Sequence, residues 1–140
     1  GPPPNEFSRV LDATDMAVGR AVKARLKAKK VEREGIAARC GLAGVQLLHA
    51  NVTAVRKDDM SVVVKGNVEG VYTLQEAPDL QRAVSRRFET LMLDLDNSGE
   101  LDVFTAGEDY DDEIPRGGAL DVGEIAAQYF IMETHNQRSY

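Results

Sequence analysis

The stretch DLDNSGELD, residues 94–102, carries the residue types that bind a hard cation. A calcium loop of the EF-hand type takes oxygen ligands from alternate positions, has glycine at its centre and ends on a bidentate glutamate. A loop that begins at Asp94 has oxygen donors at the right spacing as far as Asp102, with Gly99 at the glycine position. Thr105 stands where the glutamate is needed. We predict a polar turn here and keep a calcium-binding, EF-hand-like loop over 94–105 as the alternative.

Other residues that could support catalysis or bind a metal are scattered. His49 and His135 have no cysteine or glutamate at the spacing of a zinc site. Cys40 is the single cysteine, and we interpret it as a small buried hydrophobe. We therefore predict a protein that is not an enzyme, with no catalytic residue, no metal, no cofactor and no small-molecule substrate.

A basic stretch is the more informative feature. VKARLKA, residues 22–28, alternates apolar and basic residues, a pattern that predicts a half-buried strand with a basic outer face. Cations in this region can neutralise phosphates, and the absence of aromatic neighbours makes base stacking a poor prospect. The alternative is a solvated strand face. The predicted RNA-binding residues are Lys23, Arg25, Lys27, Lys29, Lys30 and Arg33.

The charge distribution divides the chain into two parts. Net charge is −6 overall, but residues 1–57 sum to +6 and residues 58–140 to −12. Such a split suggests a basic and an acidic surface with different partners, and the alternative is two solvated surfaces with no partner. The length of 140 residues and a hydrophobic fraction of 43% predict one domain, 1–140. No apolar run is long enough to cross a membrane, so we predict no membrane partner.

Two strands, 47–57 and 60–74, are predicted to form an antiparallel hairpin through the turn residues RKDD. Gly66 and Gly70 fall on the apolar side of the second strand and suggest a bend or bulge. Pro78 is expected to interrupt the chain. Residues 80–94 fit a helix or a strand, and periodicity leaves both open.

The C-terminal part is predicted to hold an acidic loop at about 105–118 and a helix near 121–133. Asp121 can cap this helix, and Glu124 can reach back to the Asp121 amide. Together with a helix near 29–40, the pattern predicts an α+β fold with an antiparallel sheet, and curling into a partial barrel stays open. The predicted partner-binding residues are Asp109, Asp111, Asp112, Glu113, Val122, Ile125, Tyr129 and Phe130.

The order of these elements resembles the YceD family, the large ribosomal RNA subunit accumulation proteins, and most of all its alphaproteobacterial and organellar branch. The resemblance covers about residues 6–132, and KGNVEGVYTL (65–74) and GGALDVGEIAAQYF (117–130) are its most specific parts. Two departures stand out. Family members usually carry a cysteine shortly after the glycine-bearing strand, and VYTLQEAPDL has none. Bacterial members of this branch tend to have a proline-containing tail where this sequence has IMETHNQRSY.

The resemblance implies a non-enzymatic factor in ribosome biogenesis that binds large-subunit ribosomal RNA, ribosomal proteins or other assembly factors. It implies a location in the mitochondrial matrix, another organelle stroma or the bacterial cytoplasm. It also implies that RRFETLMLD, residues 86–94, is a strand leading into a variable acidic loop. No role of the family cysteine is carried over.

Overall fold

The structure, a computed structural model, describes residues 7–99 and 110–138 and has an α+β fold. Helix α1 spans Lys30–Cys40 and helix α2 spans Val122–Arg138. The strands are β1 (Val10–Asp12), β2 (Ala21–Lys27), β3 (Gly44–Arg56), β4 (Ser61–Leu74), β5 (Ala77–Asp94), β6 (Asp112–Ile114) and β7 (Ala119–Asp121). Neither described helix has the length and apolar character needed to cross a membrane.

The main sheet has five strands in the order β2-β3-β4-β5-β6. All neighbours are antiparallel except β5 and β6, which run parallel. The sheet does not close into a barrel, so the open question about a partial barrel is answered in favour of an open sheet. A separate two-stranded sheet pairs β1 with β7 and ties the beginning of the described chain to the start of α2.

The sheet has one apolar face because its strands alternate with a period of two. Even-numbered side chains of β4, including Val64, Val68 and Tyr72, are fully buried. Helix α2 packs on this inner face, where Phe130 meets Tyr72 edge to face with ring centroids 6.2 Å apart. The core therefore lies between the inner face of the sheet and the helices, and the opposite face is left to solvent.

The predicted hairpin of β3 and β4 is confirmed, but the prediction of a bulge at its glycines is wrong. Strand pairing runs without a shift past Gly66 and Gly70, and the irregularity in β3 lies between Val45 and Leu47. The glycines instead permit close approach. A Cβ on Gly70 would lie 2.5 Å from the Phe130 ring, and one on Gly66 would overlap the paired strand.

Residues 80–94 form part of a strand, so the helical alternative is wrong and the expected strand before the acidic loop is confirmed. Val84, Phe88 and Met92 recur every fourth residue, a spacing that places them on one face of either element. Pairing with β4 along most of its length decides for the strand. Pro78 does not interrupt β5 and lies where the register with β4 shifts.

Both predicted helices are confirmed, and α2 extends further than predicted, to Arg138. Helix α1 ends at Cys40 and is capped by Gly41, whose φ of 72° is the left-handed conformation that glycine adopts easily. At the start of α2, the Asp121 carboxylate accepts a hydrogen bond of 3.0 Å from the Glu124 amide, as predicted. The reverse hydrogen bond is absent among the described contacts, because the Glu124 carboxylate binds Arg39 of α1 instead.

Candidate nucleic-acid interface

The solvent-facing side of the main sheet gathers polar side chains from four strands. Its odd-numbered residues align in three rows because β2, β3, β4 and β5 pair in continuous register there. We call these twelve side chains the outer polar face. They are Lys23, Thr53, Lys65 and Glu89 in the first row, Arg25, Asn51, Asn67 and Arg87 in the second, and Lys27, His49, Glu69 and Ser85 in the third.

The middle row combines two guanidinium groups with two amides. Arg25 and Arg87 stand at its ends, and Asn51 and Asn67 are directly paired between them. Since neighbouring strands lie about 4.8 Å apart, the four Cα atoms span about 14 Å. Arg25, Lys23 and Lys27 were predicted from the sequence. The two asparagines, Lys65 and Arg87 were missed, because only the strand register shows that they join the same surface.

The outer polar face is concave. A depression of about 640 Å³ is lined by all the β3, β4 and β5 members of the face except His49, and these include Asn51, Asn67 and Arg87. A second depression of about 300 Å³ lies between β2 and β3 and is lined by Arg25, Lys27 and Asn51 among others. Asn51 borders both depressions, so the concave surface runs from the basic strand toward β5.

The electrostatics of this face differ from those of the whole chain. It carries five lysines and arginines and two glutamates, whereas the net charge of the protein is −6. Lys23, Arg25 and Lys27 are exposed and make no ion pair with any residue that the structure describes. The His49 imidazole lies 3.3 Å from the Glu69 carboxylate. The strongest positive charge therefore follows β2.

The other three predicted RNA-binding cations lie around α1 rather than on the outer polar face. Lys29 precedes the helix, and Lys30 lies 3.9 Å from Glu34. The Arg33 guanidinium is half-buried and donates to the carbonyl oxygens of Ala28 and Val45 at 2.9 and 3.2 Å. Arg33 thus fastens α1 to the sheet. Lys30 and Arg33 border a separate depression of about 480 Å³ between α1 and the start of β3.

The predicted partner-binding residues do not form one exposed surface. Val122 and Phe130 are fully buried, so their assignment to a partner is wrong; their side chains fill the core beneath α2. Ile125 is half-buried, and half-buried Tyr129 stacks on Phe88 with centroids 4.7 Å apart.

The acidic members of that prediction lie elsewhere, and Asp109 falls outside the described residues. The exposed Asp111 carboxylate accepts a hydrogen bond of 2.8 Å from the Leu91 amide, which holds the acidic segment to β5. Asp112 accepts from the amide of Glu113, which is half-buried.

The candidate calcium loop follows a strand, whereas the loop of an EF-hand connects two helices. Asp94, its first candidate ligand, is 1% exposed and ion-paired. The Asp96 carboxylate accepts hydrogen bonds from the Gly117 amide. Residues 100–105 lie outside the described residues. Within 7–99 and 110–138, no group of His, Cys, Asp or Glu is arranged to hold a metal ion.

Asp94 is bound by Arg56, a residue that the sequence analysis missed. Arg56 is 5% exposed and lies on the inner face at the end of β3, with its Nη2 atom 2.7 Å from Asp94 Oδ2. The rest of its guanidinium donates to four backbone carbonyl oxygens, those of Ala13, Met16, Asp58 and Asp59. All five N–H donors of the group are therefore satisfied.

A signal for this buried pair was present in the sequence. Arg56 continues the even-numbered apolar positions Leu48 to Ala54 of its strand, and Asp94 occupies the same phase on β5 as Met92. Opposite charges in the apolar phase of two strands predict a buried ion pair. This pair secures the end of the sheet where the chain crosses from β1 to β2.

Cys40 packs against the hydrophobic core but is half-buried, whereas the sequence predicted a buried side chain. Burial raises the pKa of its thiol, the opposite of what an activated nucleophile requires.

Comparison of the chain with protein-family models, with curated protein sequences and with solved structures found no significant match.

Proposed function

We propose that this protein is a non-enzymatic assembly factor of the large ribosomal subunit, which binds ribosomal RNA through the outer polar face. The resemblance of residues 65–74 and 117–130 to the YceD family supports the ribosomal part of the proposal. The basic strand supports RNA as the ligand. The same resemblance makes the mitochondrial matrix, another organelle stroma or the bacterial cytoplasm the proposed location.

The observation that carries the proposal is the exposed, unpaired row of cations on β2. Lys23, Arg25 and Lys27 occupy alternate positions of one strand and point to the same side. Their Cα atoms are therefore about 6.7 Å apart. A regular array of this kind matches the repeating charges of a sugar–phosphate strand. Contacts to phosphate release counterions, so the affinity should fall steeply with salt.

A ribosomal protein or another assembly factor is a second proposed partner, and the acidic residues support it. Asp111, Asp112 and Glu113 follow one another beside β5. Ribosomal proteins are basic, and an acidic surface steers a basic partner toward the complex. Val122 and Phe130 are excluded from this surface by their burial.

The proposal can be tested by purifying the tagged protein from native extract, followed by gradient sedimentation and sequencing of the bound RNA. We expect enrichment of large-subunit ribosomal RNA in immature particles. Replacing Lys23, Arg25 and Lys27 with glutamine should reduce that enrichment. The control variant Arg9→Gln with Lys57→Gln, which removes two exposed cations outside the outer polar face, should retain it.

Two results would argue against the proposal. A protein that sediments alone at the top of the gradient, without RNA, would leave the ribosomal function unsupported. Unchanged association of the triple variant would exclude β2 as the RNA contact while leaving ribosome assembly itself open.

A further inference from the structure

We propose that the outer polar face binds A-form duplex RNA, with the phosphates of one strand on β2 and the ribose 2′-hydroxyls on Asn51 and Asn67. This inference rests on the proposed function and specifies the form of RNA that the protein recognises. It assigns a role to the concave surface beyond the cations of β2. Three features of the described residues support it.

The first feature is the composition of the face. Its twelve side chains include no phenylalanine, tyrosine or tryptophan. Proteins that bind single-stranded nucleic acid stack its bases on such side chains. Phe88 borders the large depression but is 6% exposed and stacked on Tyr129 from the inner side. The face is therefore built to contact backbone rather than unstacked bases, as duplex recognition requires.

The second feature is the pair of amides in the middle row. Asn51 and Asn67 are directly opposite each other and both border the large depression. Neither side-chain amide is hydrogen-bonded to any part of the chain that the structure describes. An amide both donates and accepts, so it can match the 2′-hydroxyl, which also does both. The 2′-hydroxyl is the group that distinguishes RNA from DNA in the wide, shallow minor groove.

The third feature is the position of the charges. Cations occupy all three rows on β2, whereas on β4 and β5 the depression is bordered by two cations, Lys65 and Arg87, and by two carboxylates, Glu69 and Glu89. Carboxylates repel phosphates but accept hydrogen bonds from hydroxyl groups. Because the two carboxylates offset the charges of Lys65 and Arg87 in the depression, the net positive charge lies on β2, where we place the phosphates, and the riboses lie over the depression. An RNA duplex whose minor groove lies across the sheet places its phosphates on β2 and its riboses over the depression.

The experiment measures fluorescence anisotropy of three labelled probes of one sequence: a 16-base-pair RNA duplex, the DNA duplex and the single-stranded RNA. The length of about 16 base pairs covers two successive minor grooves. We expect the RNA duplex to bind about tenfold more tightly than either other probe, a difference that about two hydrogen bonds supply. The double variant Asn51→Ala with Asn67→Ala should lose most of this preference. The double variant Gln75→Ala with Asn136→Ala, which removes two exposed amides elsewhere, should retain it.

A second probe avoids any effect of the substitutions on folding. An RNA duplex with 2′-O-methyl riboses should bind the unaltered protein as weakly as the DNA duplex. Two results would overturn the inference: single-stranded RNA that binds as tightly as the duplex or more tightly, or a preference for RNA over DNA that the asparagine substitutions leave unchanged. The proposed function would still stand in either case if ribosomal RNA is enriched from extract. Failure to bind any RNA in either experiment would overturn both.

Discussion

Arg56 and Arg25 are on neighbouring strands and show two opposite uses of the same side chain. Arg56 is even-numbered, points to the inner face and has all five donors bound. Arg25 is odd-numbered, points to the outer face and is exposed, with no hydrogen bond or ion pair to the described residues. The side of the strand to which the side chain points, set by its even or odd position, decides which of these two roles the arginine has. A buried guanidinium must be fully paired to be tolerated, whereas an exposed, unpaired one is available to a ligand.

Arg39 is intermediate between Arg56 and Arg25 in both exposure and pairing. Its guanidinium forms a two-pronged ion pair with the Glu124 carboxylate, at 2.7 and 2.5 Å, where α1 meets α2. Both side chains are partly exposed. We therefore expect three classes of arginine, with effects on the free energy of unfolding that decrease from Arg56 to Arg39 to Arg25.

The largest effect is expected at the buried pair. Replacing Asp94 with alanine should lower the free energy of unfolding by about 3–5 kcal/mol, because it leaves the Arg56 charge buried without its counterion. Urea denaturation followed by circular dichroism measures this. The matched replacement Asp96→Ala, which removes an exposed carboxylate two residues away, should cost much less. Equal effects of the two substitutions would show that burial of the pair is not what stabilises this end of the sheet.

A smaller effect is expected from crowding the inner face at Gly70. The substitution Gly70→Ala should lower the free energy of unfolding by about 1–3 kcal/mol, because the new methyl group would press on the Phe130 ring. The control is Gly44→Ala, where the nearest atom is the amide nitrogen at the far end of the flexible Gln46 side chain. Chemical denaturation of both variants separates crowding from the general effect of replacing glycine. A Gly70→Ala protein as stable as the wild type would contradict the close packing of α2 on β4.

The ion pair between Arg39 and Glu124 predicts that the free energy of unfolding depends on pH. The hydrogen bond from Arg39 lowers the pKa of Glu124 in the folded state. The resulting stabilisation is complete above the unfolded-state pKa of about 4.3 and is lost as pH falls through the lower folded-state pKa. Glu124→Gln should therefore cost about 0.2–1 kcal/mol at neutral pH and less in strong acid.

Urea midpoints of wild type and Glu124→Gln at neutral pH and near pH 3 measure this difference. The control Glu34→Gln, which removes only an exposed ion pair with Lys30 at 3.9 Å, should have little effect at either pH. A cost of Glu124→Gln that does not shrink in acid would show that the lowered pKa contributes nothing to stability.

The smallest effect on stability is expected for the exposed cations. Replacing Lys23, Arg25 and Lys27 together with glutamine should change the free energy of unfolding by no more than about 0.5 kcal/mol per site. Thermal unfolding of the triple variant checks this. A large loss of stability would mean that these side chains support the fold, and any loss of RNA binding could not then be assigned to direct contacts.

Individual strands and helices were predictable where apolar and polar residues alternate strictly or where a capping residue stands at the end of a helix. The alternation of VKARLKA predicted β2, Gly41 predicted the end of α1, and Asp121 predicted the cap of α2. Residues 80–94 were ambiguous because every-fourth spacing of Val84, Phe88 and Met92 suits both a helix and a strand. Long pairing with β4 resolves this, and such pairing cannot be read from a local window.

The candidate site was only partly predictable for a related reason. The cations of β2 are close in sequence, so the alternation pattern identified them. Asn51, Asn67 and Arg87 lie on three other strands, and only register brings them beside Arg25. Val122 and Phe130 were predicted to contact a partner but are buried in the core. A helical stripe shows which side chains are apolar, but it does not show whether a partner or the core covers them.

The most direct test of the central claim is the salt dependence of binding to large-subunit ribosomal RNA. The slope of log affinity against log salt counts the phosphates neutralised, at about 0.7–0.9 per contact. If β2 is the phosphate contact, the triple variant of Lys23, Arg25 and Lys27 should bind more weakly with a slope about two units shallower. The control variant Arg9→Gln with Lys57→Gln should keep the wild-type slope. An unchanged slope in the triple variant would contradict the account.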